Sequence, residues 1–169
     1  NATSTVNLNG GTLRFNGYSR AGAFNYLAGT IQLAGDRVFG NDLAIPDIFG
    51  ALPTIPAGKT LNVEGGADVR TNVAVNGGKL AIQSNSNLFR VGFLQPGTLS
   101  ITGGGSVVSN TQSDVGVQDG GNGTVNVSGL GSSLTVNNAL YVGLEGEATM
   151  NITGGGTVTT TGDGVIGFD

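Results

Sequence analysis

Most of this chain is built from short runs in which two apolar residues flank one polar residue. Typical runs are Leu99-Ser-Ile101, Val125-Asn-Val127 and Met150-Asn-Ile152. Successive side chains of a β-strand point to opposite faces, so this alternation predicts strands with one buried face and one solvated face. Helical spacing of apolar residues is nearly absent, and the pattern therefore predicts an all-β protein.

The predicted strands recur in a fixed order. A second strand follows a first after eight or nine residues, and a third carries a Val-Gly or Ile-Gly pair. The assignments are first strands at Leu61–Val63, Leu80–Ile82, Leu99–Ile101, Val125–Val127 and Met150–Ile152, second strands centred on Val69, Leu88, Val107, Leu134 and Val158, and third strands at Val73–Val75 and at the pairs beginning with Val91, Val115, Val142 and Ile166. Three short strands per coil, at a period near 19–26 residues, predict a β-solenoid.

Stacked coils place equivalent residues directly above one another, about 4.8 Å apart. We therefore expect a threonine ladder, an outward asparagine ladder and a shared glycine corner with positive φ. Their members are Thr98, Thr124 and Thr149; Asn126 and Asn151; and Gly103–Gly105, Gly129–Gly131 and Gly154–Gly156.

Residues 1–169 are expected to form one β-solenoid domain, with the most regular repeats at 97–169. Gly11–Phe15 and Gly29–Leu33 repeat at 18 residues and fit shorter coils of the same stack. Residues 36–58 break the period and hold three of the four prolines, so they are interpreted as an insertion or a loop-rich coil.

Composition narrows the class of protein. Apolar residues make up 38% of the chain and the net charge is only −4, so disorder is disfavoured despite 32 glycines. The absence of cysteine excludes disulfides and thiolate metal sites. No apolar run approaches the roughly 20 residues that span a bilayer, so no membrane span is predicted.

The C-terminal units GTLSITGGGSVVS, GTVNVSGLGSSLTV and ATMNITGGGTVTT resemble the β-strand repeats of bacterial autotransporter passengers and of PEP-CTERM-type surface proteins. Pro56–Gly65 resembles a phrase found in the same proteins. The resemblance covers roughly residues 56–169. It implies a right-handed parallel β-helix and an extracellular, cell-surface setting, and it brings no shared catalytic motif.

Candidate chemistry is sparse, and no enzyme activity, catalytic residue, metal ligand or cofactor is predicted. The chain has no histidine, the commonest general base. Four carboxylates in neighbouring coils leave three alternatives open: a calcium site, an acid–base pair, or solvated turns. They are Asp114, Asp119, Glu145 and Glu147.

Cell-surface glycans are a candidate partner class, and nucleic acid is disfavoured by seven unclustered basic residues against eleven acidic ones. Tyr18, Phe24 and Tyr26 fit either a sugar-stacking face or, from the strand spacing of Phe24 and Tyr26, a buried strand. Sequons for N-glycosylation occur at four asparagines, as chance supplies in so Asn-rich a chain. They begin at Asn1, Asn122, Asn126 and Asn151.

Charge divides the chain into unlike halves. Residues 1–90 hold all seven basic residues and five acidic ones, a net of +2, whereas residues 91–169 hold six acidic residues alone, a net of −6. If sequence order follows the long axis, head-to-tail contact pairs opposite charges and contact between like ends is repulsive.

The last repeat stops after its Ile-Gly pair at Phe168–Asp169, and Val6–Leu8 has the pattern of the strand that comes next. No capping helix is expected at either end, so the strands at both ends are predicted to pair with another coil. The predicted self-association residues are Thr5, Val6, Asn7, Leu8, Val165, Ile166, Gly167 and Phe168.

Three hypotheses follow. The first is a non-catalytic extracellular subunit that stacks head to tail into a filament, fibre or sheath, with itself as partner. The second is a segment of a long autotransporter-like adhesin or stalk, in which adjoining repeats of the same chain cover the ends. The third is a polysaccharide-binding or polysaccharide-degrading β-helix that uses residues 36–58 and the acidic turns.

Overall fold

The computed structural model describes residues 4–168, which form a series of short β-strands and one short helix. The elements in chain order are β1 (Thr5–Phe15), β2 (Ala23–Leu33), β3 (Arg37–Phe39), α1 (Ala44–Phe49), β4 (Thr54–Pro56), β5 (Lys59–Val63), β6 (Ala67–Val69), β7 (Asn72–Asn76), β8 (Lys79–Ile82), β9 (Phe89–Phe93), β10 (Gly97–Thr102), β11 (Ser106–Ser109), β12 (Ser113–Val117), β13 (Gly123–Ser128), β14 (Ser133–Val136), β15 (Leu140–Leu144), β16 (Ala148–Thr153), β17 (Thr157–Thr160) and β18 (Gly164–Phe168).

The strands form three parallel sheets, which the chain visits in rotation. Sheet A has the order β1-β2-β5-β8-β11-β14-β17, sheet B has β3-β6-β9-β12-β15-β18, and sheet C has β4-β7-β10-β13-β16. One strand from each sheet makes one coil, so the fold is a single-domain parallel β-helix, and the fold-class prediction is confirmed. Right-handed winding stays a prediction, in line with the handedness of about 98% of parallel crossovers.

One continuous hydrophobic core runs through the stack. Leu61, Leu80 and Val107 form one inward column of sheet A, and none of the three has measurable solvent exposure. Each coil supplies only a few apolar side chains, so each coil depends on packing against its neighbours for stability. Among residues 4–168, the first and the last strand of each sheet have a neighbouring strand on one side only.

The register confirms the predicted ladders of the C-terminal half. Val91, Val115, Val142 and Ile166 stack on sheet B, and the three threonines stack on sheet C. The side-chain amide of Asn151 donates through Nδ2 to Oδ1 of Asn126 at 2.8 Å. Each predicted glycine corner contains two residues with positive φ.

The assignment of the earlier strands to faces was wrong. Leu61–Val63 and Leu80–Ile82 lie in sheet A, whereas Leu99–Ile101 lies in sheet C. Val73–Val75 lies in sheet C beside Leu99–Ile101, and not with the Val-Gly pairs. Among the predicted second strands, Val69 lies in sheet B and Leu88 lies just before β9. All three faces share the same apolar-polar-apolar pattern, so the pattern alone does not identify the face.

Residues 36–58 form a loop-rich coil, because β3 belongs to sheet B and β4 to sheet C. Helix α1 lies between these two strands and buries Ala44, Ile45 and Phe49 in the common core. Its start is held by Asp42, whose Oδ1 accepts the N–H of Ala44 at 2.8 Å. The prolines thus occur in a coil that keeps the stack continuous.

Strand β1 is long because it turns a corner. Its pairing with β2 breaks between Leu8 and Thr12, where Gly10 and Gly11 have φ values of +90° and +73°. The part after the glycines pairs with the segment of β2 that continues into sheet A. Leu13 pairs with Ile31, as the 18-residue repeat predicted.

Candidate functional site

The C-terminal end of the stack leaves inward-facing apolar side chains open to solvent. Val127 of β13 is fully buried, whereas Ile152, its partner in the last coil, is 49% exposed. Ile166, which continues the buried column of Val91 and Val115, is 86% exposed. Among residues 4–168, no further coil covers these positions, so the last coil is an open apolar surface.

The four predicted C-terminal residues all lie on β18, at the free edge of sheet B. Ile166 faces the open end, while Val165 is partly buried on the outer face. Gly167 has a φ of +66° and continues the column of glycines that follow each valine. The ring of Phe168 packs edge-on against Tyr141 at 6.0 Å and is half exposed.

The N-terminal end is also open, but its shape is different. Val6 of β1 is 49% exposed, and it borders a depression of about 260 Å³ whose apolar walls include Leu13, Phe15, Tyr18 and Phe24. We call this depression the N-terminal hollow. Its apolar walls come from β1, from the start of β2 and from the segment between these two strands.

The other predicted N-terminal residues have different surroundings. Leu8 is buried in the core, and it therefore contributes little exposed surface. Thr5 and Asn7 point outward and are exposed. Asn7 accepts a hydrogen bond through Oδ1 from Nδ2 of Asn25 at 2.8 Å, which makes a second asparagine ladder.

Helix α1, which the sequence did not predict, packs near the N-terminal coils but contributes no residue to the N-terminal hollow. Phe49 of α1 packs edge-on against Tyr26 at 5.7 Å, and Asp47 pairs with Arg20 at 2.7 Å. Through Phe49, the helix packs against the core near this end. It does not close the N-terminal hollow, whose wall residue Val6 remains half exposed.

The predicted aromatic cluster serves packing. Tyr26 is buried, and its hydroxyl donates to the carbonyl of Gly29 at 2.7 Å; burial raises its pKa. Tyr18 donates its hydroxyl proton to the carboxylate of Asp47, and burial together with this bond raises the pKa of Tyr18 to about 12. Phe24 stacks on Tyr26 at 6.1 Å. The strand interpretation therefore fits these residues better than a sugar platform.

The structure brings together only some of the predicted carboxylates. Asp119 and Glu145 line one exposed depression, and Glu147 accepts a hydrogen bond from Nδ2 of Asn122 at 3.2 Å. Asp114 lies apart, on sheet B opposite Tyr141, and is almost fully buried. Within residues 4–168, no group of three or more acidic side chains is placed to hold a metal ion.

Burial raises the pKa of Asp114, and a hydrogen bond from Gln112 to Oδ1 at 2.9 Å opposes that shift. In the described part of the chain its Oδ2 has no hydrogen-bond partner. The charge of Arg90, which lies beside it in register, favours the ionised form. The carboxyl group is held in the sheet and faces no open cleft.

Sequence reasoning missed a charged ladder on the outer face of sheet B. Asp68, which is nearly buried, binds Arg70 at 2.8 Å and Arg90 at 2.6 Å. The guanidinium of Arg90 lies 3.6 Å from the centre of the Phe93 ring. The signal was present in the 22-residue offset between Asp68 and Arg90, which is one coil, but it is visible only when the strands are assigned to the correct face.

The sequon asparagines fall into two environments. Asn126 and Asn151 lie on strands and bind one another, and Asn122 lies in the loop directly before β13. The sequon that begins at Asn1 lies outside the described residues, and so does Asp169.

No protein-family model, curated protein or solved structure matches the chain. In the described range, the helical part is far too short to cross a bilayer.

Proposed function

We propose that this protein is a non-catalytic, extracellular structural subunit whose β-solenoid stacks head to tail into a filament, fibre or sheath. One observation carries the proposal: inward-facing apolar positions that are buried along the stack become exposed at both of its ends. Ile166 at 86% and Val6 at 49% are the clearest cases. An edge of unpaired backbone groups beside exposed apolar side chains is a template for another strand.

Burial energies support an end-to-end contact of useful strength. Full burial of one isoleucine or valine side chain stabilises by about 1.5–3 kcal/mol. Each end presents several such side chains, among them Met150, Ile152 and Ile166 at one end and Val6, Leu13 and Phe15 at the other. Their combined burial is of the order needed to offset the roughly 4–15 kcal/mol that association costs in lost freedom.

Charge selects the orientation of the contact. The half of the sequence that starts at the N-terminal coils carries a net +2, and the half that ends at β18 carries a net −6. Two C-terminal ends therefore repel one another, whereas unlike ends attract. A contact between unlike ends does not close on itself in a straight rod, so it produces a filament.

The extracellular setting and the surface-protein character rest on the repeat resemblance described above. The same open ends fit the second hypothesis, in which adjoining repeats of one long adhesin or stalk continue the stack. Immunolabelling of intact, unpermeabilised cells tests the location, and a labelled epitope that appears only after permeabilisation would contradict it.

The assembly is tested by sedimentation velocity over a wide range of protein concentrations. We expect elongated species that grow with concentration, and we expect Ile166→Asp or Val6→Asp to abolish them by placing a charge in the contact. Ser100→Asp is the matched control, because Ser100 lies on the outer face of sheet C in the middle of the stack. Loss of assembly in the control alone, or in none of the variants, would contradict end-to-end stacking.

A further inference from the structure

The two ends of the solenoid carry matching halves of one coil, and they match at one register. We propose that β1 of one copy docks on β16 and β17 of the next with Asn7 opposite Asn151 and Thr12 opposite Thr157. This inference rests on the proposed end-to-end association and specifies its geometry.

The first argument is the match between the two segments. Val6-Asn-Leu8 corresponds to Met150-Asn-Ile152, and Thr12-Leu13 corresponds to Thr157-Val158. Between them, Gly10 and Gly11 have φ values of +90° and +73°, and Gly154 and Gly155 have +58° and +84°. Both segments therefore turn a corner through two consecutive glycines with positive φ, although β1 has one glycine fewer.

The difference of one residue at the corner does not prevent stacking, because the same difference occurs inside the protein. Ile101 pairs with Val127 before one corner, and Ser106 pairs with Ser133 after it. Ser106 follows Ile101 by five residues, whereas Ser133 follows Val127 by six, yet the strands on both sides of this corner remain paired in register. A shorter corner in β1 is thus compatible with in-register pairing on both sides.

The second argument is the direction of the asparagine ladders. Asn151 donates through Nδ2 to Asn126, and Asn25 donates through Nδ2 to Asn7, so in both cases the later coil donates to the earlier one. Among residues 4–168, the Oδ1 of Asn151 and the Nδ2 of Asn7 make no hydrogen bond. In the proposed register, Asn7 of the next copy donates to Oδ1 of Asn151 and joins the two ladders with the same polarity.

The third argument is that the inward side chains become buried in pairs. Val6 comes to lie over Met150 and Leu13 over Val158, while Leu8, which is already buried in its own subunit, covers the half-exposed Ile152. A shift by one residue would place Val6 over an asparagine and turn Asn7 toward the core, since the side-chain period of a strand is two. Burying an unpaired amide is costly, so the register is strongly specified.

The sheet B position completes the contact. The first coil has no strand there, but the segment between β1 and β2 contributes Tyr18 to the N-terminal hollow. The last coil presents Ile166 at that position, 86% exposed. The hollow therefore receives the most exposed apolar side chain of the opposite end.

Cysteine pairing tests the register directly, because the chain has no cysteine of its own. One batch carries Asn7→Cys and another carries Asn151→Cys, and the two are mixed before mild oxidation. Facing residues on neighbouring strands lie about 4.8 Å apart, within the range that a disulfide bridges. We expect a cross-linked heterodimer in the mixture and almost none in either batch alone.

Thr5→Cys is the matched control, because it lies on the same outer face two residues from Asn7. Its offset along the strand places it roughly 8 Å from position 151, beyond disulfide reach, so cross-linking should be about tenfold slower. Faster cross-linking with Thr5→Cys, in chains that still form rods, would overturn the register and leave the proposed function intact. Absence of rods in the unmodified protein, together with absence of cross-links between the Asn7→Cys and Asn151→Cys variants, would overturn both.

A second pair of variants covers the case in which a cysteine itself weakens assembly. The register predicts that the double variant Asn7→Lys with Asn151→Asp assembles at lower concentration than Asn7→Lys with Asn151→Lys. The first places opposite charges across each junction, and the second places like charges there. Equal assembly of the two, measured by sedimentation, would contradict the register.

Discussion

Ile166→Ala separates the role of the open end from the role of the core. The change removes three carbons, each worth about 0.8 kcal/mol when buried. Ile166 is 86% exposed, so its removal should cost the isolated subunit only a few tenths of a kcal/mol. If the side chain becomes buried at a junction, the same removal weakens each contact by about 2 kcal/mol. That loss raises the concentration needed for assembly by about 30-fold.

Ile101→Ala is the control with the same chemical change in the middle of the stack. Ile101 has no measurable solvent exposure, so the variant should lose about 2–5 kcal/mol of unfolding free energy. Urea unfolding at protein concentrations too low for assembly measures the unfolding free energy. Light scattering across a dilution series measures the critical concentration for assembly. Ile101→Ala should therefore lose more unfolding free energy than Ile166→Ala, whereas Ile166→Ala should raise the critical concentration more than Ile101→Ala.

Two results would refute the reasoning. A loss of more than about 2 kcal/mol in the unfolding free energy of Ile166→Ala would mean that this side chain is already covered in the monomer. An unchanged critical concentration would mean that the end bearing Ile166 takes no part in association.

Three further predictions concern the stack itself. Gly116→Ala should destabilise the fold strongly, because the added Cβ would lie 2.3 Å from a backbone carbonyl oxygen at a φ of +68°. Gly167→Ala, at a φ of +66° with open space around it, should lose only about 1–2 kcal/mol of unfolding free energy. Urea unfolding compares the two variants, and equal losses would contradict the account. Asp68→Asn should lose about 3 kcal/mol by leaving Arg90 without its ion pair, and a neutral result by the same assay would show that the ladder contributes nothing. Asp114→Asn should raise the free energy of unfolding at pH 7, because burial raises the pKa of this carboxyl in the folded state and penalises its ionised form above that pKa. The gain in stability should vanish below about pH 4, where the carboxyl is protonated in both the folded and the unfolded state. A gain that persisted at low pH would contradict this cause.

The solenoid fold and the C-terminal register could be predicted from the sequence because the repeats recur with distinctive markers. The valine-glycine pairs and glycine corners each occur at one place in the coil, so they fix the face. Leu61–Val63 and Leu80–Ile82 lack such a marker, and their apolar-polar-apolar pattern fits all three faces. They were consequently assigned to the same face as Leu99–Ile101, although they lie in sheet A and Leu99–Ile101 lies in sheet C.

Helix α1 could not be predicted because six residues are too few to show helical periodicity, and Pro46 lies among them. The charged ladder was missed for a different reason. Asp68 and Arg90 meet only through the pairing of β6 with β9, which depends on the correct face assignment. The N-terminal hollow could not be predicted either, because it depends on how the segment after Phe15 returns to β2.

Electron microscopy of the assembled protein measures the central claim most directly. The described residues contribute seven rungs to sheet A, and rungs spaced by about 4.8 Å give an axial rise of roughly 34 Å per subunit. The account predicts rods one solenoid wide with this axial repeat and with the rung spacing uninterrupted across each junction. Particles that stay single at every concentration, or that join side by side with their ends free, would contradict it.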